Sequence, residues 1–119
     1  MEYEGHYCVT LNRTKFEDTW IIKWDLYDHN VSKLGNNNEF GNDLEVCAYQ
    51  AFFNVRQTLE RLDVKFITFV TNWEYLIEAV YSKDQVEEYV KYFREVFLKY
   101  NHIVVNVFDT EIVNQFYAN

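Results

Sequence analysis

Glu45 is the acidic residue best placed to do chemistry in this chain of 119 residues. It follows Asn42-Asp43-Leu44 and opens an apolar-periodic run, so it falls on the first turn of a long predicted helix. An acid there can cap the helix and meet its dipole, a contribution of about 0.5–1 kcal/mol. It can also be a catalytic carboxylate. A second polar segment, Val70-Thr71-Asn72-Trp73-Glu74-Tyr75-Leu76, closes the strand expected after that helix. By its surroundings Asn72 reads as the N-cap of a following helix. Asp109 and Glu111 stand at the start of a closing helix, on which Asn114 reads as a surface residue.

Other chemistries find less support. His6, His29 and His102 fall on separate elements without the spacing of a zinc site. Cys8 and Cys47 sit among apolar residues, with no His at a nucleophile spacing, and read as two buried free thiols. Three scattered glycines cannot build a phosphate loop. Trp20, Trp24, Tyr27 and Trp73 could stack on bases, although alternating aromatics on a hairpin also suit a core or a protein interface. Glu87 and Glu88, with Asp84 and Glu95, give one helix an acidic face. That face is either simply solvated or a binding surface that mimics nucleic-acid charge.

These residues need elements to position them. Alternation predicts strands over 5–13, with Tyr7, Val9 and Leu11 against His6, Cys8 and Thr10, and over 18–27, with Trp20, Ile22, Trp24 and Leu26 on one face. The short connection makes them an antiparallel hairpin. Residues 31–34 suggest a short third strand, and 35–38 read as a loop by composition. Helical spacing of Leu44, Ala48, Ala51, Phe52, Val55, Leu59 and Leu62 predicts a helix over 43–62, capped by Asn42. A continuous apolar run over 64–70 suits a buried parallel strand. Helices follow over 72–81 and from Ser82 or Asp84 to Tyr100, then a strand over 102–108 and a helix over 109–117. The order β-β-(β)-α-β-α-α-β-α implies an α/β fold of the mixed α+β kind. Helices pack on a sheet that opens with an antiparallel hairpin or meander and continues through α/β crossovers.

The chain is long enough for one domain, 1–119, with one core. Hydrophobic residues make up 49% of it, which argues against disorder. Its formal net charge is -8, whereas a nucleic-acid binder usually carries a basic footprint. The balance therefore favours protein partners. No signal-peptide pattern and no apolar run of membrane-spanning length are visible, so the expected location is cytoplasmic.

The element order resembles that of the ribonuclease H-like superfamily. The segment from Asn42 to Ala51 is similar to that family's Asn-x-x-Glu-x-x-Ala helix start, and Thr71-Asn72-Trp73-Glu74-Tyr75-Leu76 to its Thr-Asp-Ser-x-x-Val strand-to-helix turn. The resemblance implies a carboxylate cluster holding two Mg²⁺ or Mn²⁺ ions for phosphodiester hydrolysis. Carried over position by position, that cluster is mostly missing. Glu45 matches the helix Glu, but Asn72 stands at the second Asp. Thr10 and Asn12 are the inward candidates on the first strand, and Asn114 stands on the last helix. The expectation is a degenerate centre without a cofactor: a non-catalytic binding, adaptor or inhibitor protein acting by protein–protein contact. A nucleic-acid-processing partner and a phage or mobile-element origin would suit it. The binding candidates are Trp20, Trp24, Tyr27, Trp73, Glu87 and Glu88. Two alternatives stand beside it. One is a divergent two-metal nuclease acting on RNA or DNA, with Glu45, Asp109 and Glu111 as ligands. The other is a homo-oligomer that associates through the hairpin aromatics.

Overall fold

The computed structural model describes residues 4–109. Their elements run β1 (His6–Phe16), β2 (Thr19–Tyr27), β3 (Lys33–Gly41), α1 (Leu44–Leu59), β4 (Phe66–Thr71), α2 (Glu74–Val80), α3 (Glu88–Phe97) and β5 (Asn101–Asn106). The strands form one sheet in the order β3-β2-β1-β4-β5. β1 pairs antiparallel with β2 and parallel with β4, and β5 extends the parallel half. A meander therefore feeds a crossover through α1, and β1 becomes the central strand.

Strand alternation sorts the side chains by face. Val9, Leu11, Ile22, Trp24 and Leu26 point into the main core, beneath Ala48, Ala51, Phe52 and Val55 of α1. β4 is buried along most of its length, as a parallel strand flanked by neighbours should be. Phe69 meets Phe93 edge-on at 4.7 Å, and Phe52 meets Phe93 at 5.2 Å and Phe97 at 5.9 Å. This aromatic group ties α1 and α3 to the sheet. Arg94 anchors the end of α2: its guanidinium donates to the carbonyls of Val80 at 2.9 Å and Ser82 at 2.7 Å, and to that of Ala79. On the opposite face a small cluster of Cys8, Val70 and Val105 is buried. Both cysteines are buried free thiols, and burial pushes the Cys47 thiol up. No helix among the described residues is long and apolar enough to cross a membrane.

Several elements differ from their sequence pattern. The Asn run, expected to be a loop, lies inside β3, which is a full strand at the sheet edge. Pairing to β2 overrides the low strand propensity of Asn, since what a strand requires is a partner edge. α1 stops at Leu59, short of Leu62, and its N-cap is Asp43 rather than Asn42. The Asp43 carboxylate accepts the Val46 N–H at 3.3 Å. α3 starts at Glu88, later than Ser82 or Asp84. The closing helix expected over 109–117 lies, apart from Asp109, outside the described residues.

Candidate functional site

Glu45 stands on the first turn of α1 and is exposed. The strand ends beside it are organised by Asn72. The ladder between β1 and β4 ends at the pair Leu11 and Thr71. One step further, the Asn72 side-chain Oδ1 accepts the Arg13 backbone N–H at 2.7 Å, and its Nδ2 donates to the Arg13 carbonyl at 3.0 Å. The amide thus imitates one more peptide unit and extends the ladder. An aspartate could take the first bond but, ionised, has no proton for the second. Asn72 is therefore not a helix N-cap. That position in α2 belongs to Trp73, whose N–H is taken by the Thr71 hydroxyl at 3.1 Å.

The first strand presents a different residue from the one expected. Thr10 and Asn12 alternate with the core residues Val9 and Leu11, so they belong to the opposite face and are not the inward pair. Arg13 has the inward parity. Its guanidinium lies 5.0 Å from the Trp20 ring and 5.1 Å from the Trp73 ring. Trp73 in turn stacks on Tyr89 at 5.4 Å. Lys15 adds a second cation 4.9 Å from Trp20. The head of the central strands is therefore filled by an aromatic–cation stack.

Charges gather around this stack. Burial pushes the Tyr89 phenol up to about 12, and the charges of Glu87, Arg13 and Glu45 all act on it, Arg13 in opposition. Glu87 accepts a short hydrogen bond from the Tyr75 hydroxyl, which holds the Glu87 carboxyl down and the Tyr75 phenol up. Glu88 pairs with Lys91 at 3.1 Å. Among the described residues no three His, Cys, Asp or Glu side chains come together as a metal site. Asp109 is exposed just beyond β5. Glu111 and Asn114 lie outside the described residues.

The structure brings Glu45, Trp20, Trp73 and Glu87 into one neighbourhood around Arg13 and Tyr89, two residues that the sequence reading passed over. A signal for Arg13 existed. It continues the Val9, Leu11 parity past the end of the core, where a charge needs a partner. Trp24 and Trp73 are only 3% and 1% exposed, so a contact surface cannot use their faces. Tyr27 lies on the other side of the sheet, packed against the small cluster.

No protein-family model matches the sequence, and no curated protein is similar to it. Solved structures do match. The RNase H1 of the halophilic archaeon Halobacterium salinarum superposes with a TM-score of 0.64 at 8% identity, covering 87% of this chain and 86% of that one. The N-terminal RNase H domain of rv2228c from Mycobacterium tuberculosis gives 0.67 at 6%, covering 85% of each chain. LC11-RNase H1, isolated from compost and solved in complex with an RNA/DNA hybrid, gives 0.65 at 10%, covering 84% of this chain and 83% of that one. At such identities the likeness speaks for the fold alone. With its meander, its α1 crossover and its central β1 between β2 and β4, this chain has the ribonuclease H-like fold.

Proposed function

We propose that the chain is a non-catalytic binding protein on a ribonuclease H-like scaffold, an adaptor or inhibitor that works by protein–protein contact. Its partner, in this reading, is a protein that itself handles nucleic acid. The observation that carries the proposal is the fate of the strand heads. Two-metal hydrolysis needs several carboxylate oxygens converging on a pair of divalent ions. Here the amide of Asn72 is committed to the Arg13 backbone, and the Arg13 cation is held between two indoles. A fixed guanidinium repels a divalent ion, and a neutral amide gives it no charge in return. The net charge of -8 further disfavours a phosphate backbone as the direct ligand.

Titration with Mg²⁺ or Mn²⁺, read by thermal shift, tests this reading. The expected result is no saturable stabilisation, because a ligand that binds the native state raises its apparent stability. Incubation with RNA–DNA hybrid and single-stranded substrates should leave them intact. Metal-dependent cleavage that disappears in Glu45→Ala would establish the nuclease alternative instead.

A further inference from the structure

We propose that the protein forms a weak two-fold dimer through the outer face of the β1–β2 hairpin. The inference is independent of whether the strand-head centre is catalytic. β1 runs to Phe16, five residues beyond its last pair with β4, so the hairpin and the end of β3 project past the parallel half of the sheet. On the face turned away from α1, Ile21 pairs with Thr14 on one side and Phe40 on the other, and Phe16 pairs with Thr19 in the next row. Phe16 is 70% exposed and Phe40 65%, the largest exposures among the big apolar residues of the strands.

The surroundings of this patch are self-complementary. Glu17 and Asp18 form the turn at its outer end, and Lys23, in register with Asn12 and Asn38, borders its inner end. A two-fold axis lying across the strands through the patch sets the acidic tip of each copy against Lys23 of the other. From His6 to Tyr27 the hairpin also balances its charges, with Arg13, Lys15 and Lys23 against Glu17, Asp18 and Asp25, in a chain whose net charge is -8. Two acidic copies meet with least repulsion there. Four phenyl rings, each with roughly 150–250 Å² to bury of which about a third is already covered, fall short of the ~1,000 Å² at which specific interfaces begin. That size sets the expectation of weak, reversible association.

Sedimentation velocity on the full chain, from micromolar to millimolar concentration, tests the dimer. The expected result is a reversible monomer–dimer shift. Phe16→Asp and Phe40→Asp should each raise the dissociation constant by about tenfold or more, as loss of a central aromatic anchor does. Phe16→Ser and Phe40→Ser replace them if the acidic variants do not fold. Lys23→Glu should also weaken the dimer, and adding Glu17→Lys and Asp18→Lys to it should restore association. A monomer at every concentration overturns the proposal, as does a dimer indifferent to the Phe substitutions. Failure of the charge-swapped variant to regain the dimer while its circular dichroism stays native overturns it equally. So does a large fall in monomer stability on Phe40→Ser, which would mean that the patch is covered within one chain.

Discussion

Arg13 and Phe16 lie three residues apart on the same strand, yet they belong to opposite regions. Arg13 points toward α1, and its guanidinium lies over the Trp20 and Trp73 rings. Phe16 points away and is 70% exposed. In the inner region the polar groups are partnered: the Asn72 amide extends the ladder, the Arg13 cation lies over two indoles, and Tyr89 backs one of them. The outer region is open, with apolar side chains set among Asn, Thr and Lys. The difference teaches which side chains still lack a partner. The polar groups of the inner region already have partners within the chain, whereas an open apolar face gains by being covered.

The sharpest way to break this contrast is Trp73→Ala. Trp73 is 1% exposed, carries the Arg13 contact and stacks on Tyr89. Its truncation should cost about 3–5 kcal/mol in denaturant unfolding, against about 0.5 kcal/mol or less for Phe16→Ala on the outer face. Similar losses at the two sites would erase the distinction.

Asn72→Asp probes the closed centre more gently. The carboxylate keeps an acceptor for the Arg13 N–H but loses the donor to its carbonyl, so a loss of about 1–3 kcal/mol is expected. A gain in stability that appears only with Mg²⁺ would show that a carboxylate at position 72 is enough for metal to bind, and would count against the Arg13 cation as a barrier to it.

Alkaline unfolding gives a third measure. The Tyr89 phenol is raised in the fold from 10.0 to about 12. The folded state therefore favours the protonated form. That contribution is complete below the unfolded value and is lost as pH rises from about 10 to about 12. In Tyr89→Phe the fall in stability across that window should be shallower than in the wild type. Parallel curves would mean that the phenol is not enclosed.

A small gain is expected at the hairpin tip. Glu17 sits in the left-handed region, at φ 57, where a side chain is strained and glycine is not. Glu17→Gly should raise stability by about 0.5–1 kcal/mol in the same denaturant assay, leaving the inner centre untouched. A loss would show that the Glu17 side chain makes a contact worth more than the strain.

Much of the fold was legible in the sequence. The alternation around Ile22, Trp24 and Leu26, the helical spacing from Leu44 to Leu59 and the apolar run before Thr71 each announce their element, because burial on one face imposes its own period. β3 was legible only at its start, since its Asn residues acquire strand geometry only by pairing with β2. Asp43 hid behind Asn42 as a cap, because neighbouring capping residues look alike until backbone geometry selects one. At the site, Glu45 and Asn72 could be singled out by their place in the helix start and the strand-to-helix turn. The inward facing of Arg13 could be read from the Val9, Leu11 parity, but its partners could not, because Trp20 and Trp73 come from other segments of the chain.

The sequence by itself determined the element order, the apolar periods and the amide at position 72, each a property of nearby residues along the chain. Only the tertiary structure decided what that amide does. Its partner is 59 positions away in the sequence, and the two indoles that hold Arg13 come from β2 and from the turn after β4. Side-chain hydrogen bonds and cation–π contacts act over a few ångströms. They take effect only after the sheet has brought distant segments together, so the closing of this centre is written in the pairing of strands.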